Sequence, residues 1–508
     1  MADARVLSRY GWQPSIVDFV EGWGRERPLA RAIADDTEAV SYQELNQRAD
    51  CLGAALMDLG IAAPAIVGVC VESSVDFVVA ILAVLKAGLT YTPLDPGYPD
   101  ERLAFVLGDS GASVVVSDVA NWSRFADFGG TVLRVGATER YSAPSAGPIP
   151  ANRVNTIPVC LLYTSGSTGL PKGVLLGSGG FVNAGAWQRS HYGVDTSARC
   201  SQYASVSFDA ASWEIWTTLM SGAELVIPSR LNRVSVSSLI QWLADSAITH
   251  CFLPTIMGER LLEDRRALGL PLKYLFVAGD RLRRYPPPGL PFEVHNLYGP
   301  TECTVLATSA HIEPAAKQSE ALPPIGRPID GVAVTIRDTR GRVVPVGRRG
   351  EIWISGAGLG LGYWRRPELT AERFRRPRSG LQRAFRTGDL GRYDSQGVIH
   401  FLGRSDRQVK VRGVRIEPAE VELALRNHVA VGDCVVRLWT CQNGEDVLVA
   451  YYTTTDGRDV RDGELWDLAR MKLPPQCVPS AYVHVSKIPV THNGKVDVAA
   501  LPAPPSPF

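Results

Sequence analysis

Tyr163-Thr164-Ser165-Gly166-Ser167-Thr168-Gly169-Leu170-Pro171-Lys172-Gly173 is the stretch that decides how this chain is read. It sets four Ser/Thr hydroxyls, three glycines and a lysine between two apolar runs, residues 159–162 and 174–176. Apolar runs of that length suit strands, so the polar stretch is a loop joining two of them. Glycine lets backbone N–H groups approach an anion closely, hydroxyls add neutral donors, and Lys172 adds the counter-charge, which together grip phosphate. A solvated Ser/Gly loop has a similar composition, so residue order has to choose between the two. The order is not that of a Walker loop, which needs glycine before the lysine where this chain has Pro171.

Working outward, strand-length apolar runs (66–71, 112–116, 224–227 and 274–278) alternate with helix-like segments (41–59, 75–87 and 235–246). That alternation predicts α/β layers with parallel strands. Ser41-x-x-Glu44 reads as a capping box opening the first of these helices. Residues 141–153, rich in Ser, Ala, Pro and Gly, predict a surface loop. From 332 to 354 the texture turns to short β runs around the turn signal Asp338-Thr339-Arg340-Gly341, and a separate β subdomain is expected there. After residue 403 comes a basic run, then a helix, two or three strands and a further helix. A Pro-rich tail, 502–508, is expected to be disordered.

Bulk properties exclude several classes. At 508 residues, one hydrophobic core does not serve the whole chain. Formal charge is +1, from 53 Lys+Arg against 52 Asp+Glu, which gives no support for nucleic acid or an anionic membrane as partner. The nine cysteines are scattered, with no C-x-x-C pair, and the eight histidines form no ligand-spaced cluster with them, so a reducing cytoplasm and no structural metal are expected. No apolar run approaches the ~20 residues that a bilayer-spanning helix needs, and no signal-peptide core is present.

Further landmarks follow in a fixed order: Leu85-Lys-Ala-Gly-Leu-Thr-Tyr-Thr-Pro-Leu-Asp95-Pro96, Phe208-Asp209-Ala210-Ala211-Ser212-Trp213-Glu214, Asn296-Leu297-Tyr298-Gly299-Pro300-Thr301-Glu302, Phe385-Arg386-Thr387-Gly388-Asp389-Leu390, the run from Gly403 to Glu420, and Asn493-Gly494-Lys495-Val496-Asp497. With the loop, these resemble the adenylate-forming superfamily over nearly the whole chain, and within it the adenylation domains of nonribosomal peptide synthetases. The resemblance implies a large N-terminal core, residues 1–404, of two α/β layered subdomains plus a small β subdomain from about 325. A small mobile α+β lid, 405–508, would complete the fold.

It also implies a chemistry. A substrate carboxylate attacks the α-phosphorus of ATP and pyrophosphate leaves, so charge must be offset on both sides of the phosphorus. Thr164, Ser165, Gly166, Ser167, Thr168 and Lys172 would hold the β and γ phosphates, with Lys172 more mobile than the hydroxyls. Thr301 would donate to the α-phosphate, and Glu302 would bind Mg²⁺. Tyr298 would stack on adenine, and Asn296 and Gly299 would be further nucleotide-binding residues. Asp389 would accept the ribose hydroxyls with Arg404 in support. Lys495 would be the catalytic lysine, bridging substrate carboxylate, ribose oxygen and α-phosphate, and Asp406 the hinge.

Asp209 separates the branches of the superfamily, because in the amino-acid-activating branch an Asp after Phe pairs with the substrate α-ammonium. The remaining pocket positions by resemblance are Ala210, Trp213, Phe252, Phe276, Ala278, Leu297, Val305 and Leu306. All are apolar and several are bulky, which implies a small to medium aliphatic L-α-amino acid: valine, 2-aminobutyrate or leucine. No Leu-Gly-Gly-x-Ser carrier site and no His-His-x-x-x-Asp-Gly motif occurs. A free-standing enzyme that loads a peptidyl carrier protein in trans is therefore expected, with an MbtH-like activator as a further possible partner. The alternatives are an acyl- or aryl-CoA ligase, which has no ammonium for Asp209 to meet, and a non-catalytic nucleotide or amino-acid binding protein.

Overall fold

The computed structural model describes residues 14–136, 158–166, 169–315, 321–376, 382–411, 413–441, 446–455, 460–489, 496–497 and 500–504. The chain forms two compact units. One comprises Met1–Pro96, Ser110–Leu162 and Gly173–Ser405; the other comprises Gly97–Asp109, Tyr163–Lys172 and Asp406–Phe508. The main division falls between Ser405 and Asp406, beside the boundary expected at 404/405, but the second unit also takes in two segments from the N-terminal part of the chain.

In the first unit, a nine-stranded sheet runs Arg327–Pro328, Thr308–His311, Glu293–Tyr298, Tyr274–Ala278, His250–Pro254, Arg199–Ser201, Glu224–Val226, Arg31–Ala34, Ala39–Ser41. Its interior pairings are parallel, while Thr308–His311, Arg327–Pro328 and Ala39–Ser41 are antiparallel at the edges. A seven-stranded sheet includes Ile66–Cys70, Thr90–Pro93, Val114–Ser117, Pro158–Thr164 and Lys172–Gly177. The expected α/β layering holds. The sheets are mixed, however, because antiparallel strands close the edges of their parallel centres.

Sequence dictates the helices between them. Ser41 caps Tyr42–Asp58 through a full capping box: the Ser41 N–H donates to the Glu44 carboxylate at 2.7 Å, and the Glu44 N–H donates back to the Ser41 hydroxyl at 3.2 Å. Val75–Lys86 is buried on nearly every side, as an all-round apolar helix must be. Its buried cation, Lys86, pairs with Glu21 and Asp50 at 3.1 and 2.6 Å. The β texture after residue 332 becomes a five-stranded sheet built from Val332–Arg337, Gly350–Gly356, Phe374–Arg375, Ala384–Tyr393 and Ile399–Arg404. The turn expected at Asp338-Thr-Arg-Gly closes with the Asp338 N–H on the Arg342 carbonyl at 2.9 Å, and Gly341 takes φ +78° there.

The second unit holds a three-stranded sheet (Val431–Thr440, Asp446–Thr454, Ala481–His484) packed with the helices Pro418–Arg426 and Asp462–Lys472 around Val421, Leu425, Leu465 and Leu473. The segment Gly97–Asp109 joins this unit through a buried ion pair between Arg102 and Glu420. The tail expectation needs correcting: the Pro502 carbonyl accepts the Tyr451 hydroxyl at 2.8 Å and Leu501 is buried, so the chain is held at least to that point. The 141–153 loop lies outside the described residues. All nine cysteines are free thiols. Among the described residues, no helix is long and apolar enough to cross a membrane.

Candidate active site

Three neighbouring strands and one helix bring together, in the first unit, the apolar positions expected to line the substrate pocket. Parallel pairing sets Phe252 beside Phe276, and the two-residue strand period puts Ala278 on the same face as Phe276. Leu297 lies on the next strand, Glu293–Tyr298. The helix Asp209–Met220 starts at Asp209, and its 3.6-residue period carries Asp209 and Trp213 to one side. All eight apolar positions implied by the resemblance belong to one cluster: Ala210, Trp213, Phe252, Phe276, Leu297, Val305 and Leu306 are buried in it, and Ala278 packs against it. Trp213 meets Phe252 and Phe276 edge-on, with centroids 5.8 and 6.0 Å apart.

One wall of that pocket is strained. Thr304 and Val305 have φ +52° and +70°, a region that β-branched residues almost never enter. The Leu306 N–H closes back on the Thr304 carbonyl at 2.8 Å, making a tight γ-turn centred on Val305. Its surroundings hold it there. The Thr304 hydroxyl donates to the Gly358 carbonyl at 2.8 Å, and a Cβ on Gly299 would come within 2.1 Å of the Val305 carbonyl oxygen. Gly299 therefore has a packing role, which lets the turn fold down onto the Tyr298-Gly299-Pro300 segment.

Polar groups gather around two carboxylates. Asp209 accepts its neighbour Ala210's N–H at 2.8 Å, and its other oxygen accepts the Thr301 hydroxyl at 2.7 Å. Asp389 lies opposite Arg404 in the antiparallel pairing and forms a close ion pair with it. The second Asp389 oxygen accepts the Tyr298 hydroxyl at 2.6 Å. Burial, with the charge of Asp389, pushes the Tyr298 phenol well above its ordinary range, so it stays neutral and donates. Asn296 is buried and donates to the Pro324 carbonyl at 2.8 Å.

Glu302 is fully buried and accepts the Tyr363 hydroxyl at 2.7 Å. Among the described residues, no cluster of three or more ligating side chains exists. One buried carboxylate nonetheless suits Mg²⁺, which takes one or two carboxylates and completes its shell with water and substrate phosphates.

The Gly-rich run does lie between two strands, Pro158–Thr164 and Lys172–Gly177. Thr164 closes the first strand, and its hydroxyl oxygen is buried with no hydrogen-bond partner among the described residues. Ser165 donates to the Arg415 carbonyl at 3.0 Å. A Cβ on Gly166 would strike the Leu170 carbonyl oxygen at 1.9 Å, and the Gly169 N–H donates to the Gly166 carbonyl at 2.9 Å, so the loop folds tightly on itself. Lys172 is only 5% exposed and is the first residue of a strand. Ser167, Thr168 and Lys495 lie outside the described residues. Asp406 is exposed and accepts the Gln408 N–H at 3.3 Å.

Sequence reading missed Glu214. One turn past Asp209 on the same helix and fully buried, it accepts the Tyr203 and Ala204 N–H groups at 2.8 and 3.0 Å, which ties down the segment entering Phe208-Asp209. Burial pushes its carboxyl up to about 8. The signal that could have found it is a glutamate set directly between apolar residues, Trp213 before it and Ile215 and Trp216 after it.

Known proteins resemble this chain over most of its length. The AMP-binding enzyme family model matches residues 20–364. Over 489 residues the chain is 40% identical to a linear gramicidin synthase of Brevibacillus parabrevis, covering 94% of this chain and 6% of that protein. It is also similar to tyrocidine synthase 1 of the same organism, at 35% identity, covering 99% of this chain and 46% of that one. The chain thus spans less than half the length of these relatives. Among solved structures, it is similar to an NRPS protein containing adenylation and PCP domains bound to a vinylsulfonamide inhibitor, with a TM-score of 0.82, 28% identity, and coverage of 96% of this chain and 84% of that one.

Proposed function

The chain belongs to the AMP-binding enzyme family, a family of AMP-forming ligases, and on that premise we propose that it activates an L-α-amino acid with a small to medium aliphatic side chain. A substrate carboxylate oxygen bonds to the α-phosphorus of ATP, the bond to the β-phosphate bridging oxygen breaks, and pyrophosphate leaves with that electron pair. The aminoacyl-AMP would then meet the phosphopantetheine thiol of a carrier protein. Sulfur attacks the acyl carbon, and AMP departs.

One observation carries the reading: a half-buried carboxylate, Asp209, starts the helix whose Ala210 and Trp213 enter an apolar cluster. An ammonium beside a carboxylate, with an alkyl group beyond it, describes an aliphatic α-amino acid. Valine, 2-aminobutyrate and leucine are the substrates proposed, and neighbours in that series should also react, because an apolar pocket discriminates one methylene by only about 1–3 kcal/mol. In the nucleotide site, Asp389 would accept the ribose hydroxyls, with Arg404 holding its carboxylate and Tyr298 fixing it from the other side. Thr164, Ser165 and Lys172 would take the distal phosphates. Mg²⁺, when bound, would spread the phosphate charge, and Glu302 would hold it. Lys495, assigned through its Asn-Gly-Lys motif, would offset charge on the reacting groups.

The test is amino-acid-dependent ATP–pyrophosphate exchange across the proteinogenic set plus 2-aminobutyrate. Exchange with the aliphatic members and little with charged ones is expected. Exchange driven instead by a carboxylic acid without an amine would overturn the reading.

A further inference from the structure

The resemblance assigns Asp209 and Thr301 to different subsites, the first to the amine and the second to the α-phosphate. The structure joins them. The Thr301 hydroxyl donates to Asp209 Oδ2 at 2.7 Å, across 92 positions of sequence, while the other Asp209 oxygen takes the Ala210 N–H at 2.8 Å. Thr301 sits on the short 3₁₀ turn Thr301–Cys303, directly after the Gly299-Pro300 corner. That corner is packed under the strained Thr304–Val305 turn, so its backbone has little freedom to retreat.

A hydroxyl has one proton to donate. It serves the Asp209 carboxylate or a phosphate oxygen, but not both in good geometry. We infer that Thr301 is a positioning residue that couples the two subsites: its proton goes to Asp209 while no phosphate is present and moves to the α-phosphate when nucleotide binds. Asp209 then gives up that donor and faces a new anion, and a half-buried carboxylate so placed gains most from an ammonium, which brings three donors and the opposite charge. The reverse also holds: an ammonium on Asp209 weakens the carboxylate's hold on the Thr301 hydroxyl, which turns more readily to the phosphate. Amino acid and nucleotide therefore bind with positive cooperativity, and by linkage each raises the other's affinity by the same factor. This inference rests on the amino-acid reading of Asp209 and adds that the subsites respond to one another.

The experiment titrates L-valine and L-leucine into the whole chain, alone and with saturating α,β-methylene-ATP and Mg²⁺, which leave the α-phosphate oxygens in place but block transfer. Wild type should bind the amino acid at least about fivefold more tightly with the analogue, the lower end of measured couplings. Thr301→Val, which keeps the shape and removes the donor, should lose that enhancement, yet bind amino acid without nucleotide no more weakly than wild type. A merely structural role would weaken binding in both conditions. Thr301→Ser should restore the enhancement, with thermal unfolding showing both variants folded. Equal affinity with and without analogue in wild type, or an enhancement that survives in Thr301→Val, overturns the coupling while leaving the amino-acid reading intact. A wild type that shows no amino-acid-dependent pyrophosphate exchange overturns that reading, and the coupling with it.

Discussion

The two halves of the candidate site in the first unit are held by opposite means. Asp389 is held by polar, specific contacts: one oxygen takes the Tyr298 hydroxyl at 2.6 Å, and Arg404 neutralises the other. Around Trp213 the contacts are apolar and edge-on, shared among side chains from three strands, a helix and a strained turn. A buried polar set works as a unit, because removing one member strands the rest. An apolar cluster responds in proportion to the volume and area changed. The first arrangement suits a nucleotide that is the same in every turnover, and the second a side chain that relatives can exchange.

The strongest way to probe that contrast is at the junction, where the Asp209 carboxylate opens onto the apolar cluster. Asp209→Asn keeps the shape but removes the charge that would meet the ammonium. A loss of about 3–5 kcal/mol in kcat/KM for amino acid is expected, the range for breaking a buried pair. Pyrophosphate exchange measures it. Isovalerate, valine without its amine, should be a poor substrate for wild type; if it matches valine, Asp209 belongs to neither half in the way described.

Next in size is the Asp389 set. Asp389→Ala takes a shared partner from the Arg404 guanidinium and the buried Tyr298 hydroxyl and should lower stability by about 3 kcal/mol in chemical denaturation. Tyr298→Phe removes one donor and should cost about 1–2 kcal/mol. The double variant should cost less than the sum, because the two share one interaction. Simple additivity would mean that the set is not a unit.

Much of this was legible in advance, for identifiable reasons. Ser41 and Glu44 form a local capping box, and the helix they open begins where the spacing places it. The Gly-rich run could be read as a loop between two strands from its own residues, whereas the apolar positions that meet in one cluster came only through the resemblance. Contacts between distant motifs could not be read. Nothing near Thr301 points to Asp209, and Val305 in a left-handed turn runs against its own propensity. Gly299 held the only local hint, since a glycine marks a close approach without naming the partner. The grouping of Tyr163–Lys172 with residues beyond Asp406 was likewise invisible, because it depends on long-range packing.

Glu214 sharpens the comparison through pH. It is a polar residue on the helix that serves the apolar side, and burial raises its carboxyl from 4.5 to about 8. The folded chain therefore keeps a proton that the unfolded chain has lost between those values, so the contribution is complete below pH 4.5 and declines as pH rises toward 8. Its two N–H donors and the nearby Arg233 favour the ionised form, but burial outweighs them. Denaturation midpoints across that window should fall in wild type and flatten in Glu214→Gln. Midpoints that rise with pH, or an unchanged slope in the variant, would remove Glu214 from the account.

The smallest effect belongs to the pocket itself. Phe276 lies edge-on to Trp213, and Tyr192 sits behind it with ring centroids 4.8 Å apart. Phe276→Ala opens space that only a larger alkyl or aryl side chain can fill. Each newly buried methylene contributes about 0.8 kcal/mol, enough to reorder neighbours in the aliphatic series and too little to create a preference for a polar side chain. The measurement is competition between valine and phenylalanine at equal concentration, wild type against variant. Because both substrates meet the same folded protein, lost stability cancels from the ratio. A shift toward phenylalanine in Phe276→Ala, with Asp389 untouched, would show selectivity moving by increments on the apolar side while the polar side keeps its all-or-none character. An unchanged ratio would mean that Phe276 does not face the substrate, and would withdraw the small-aliphatic assignment.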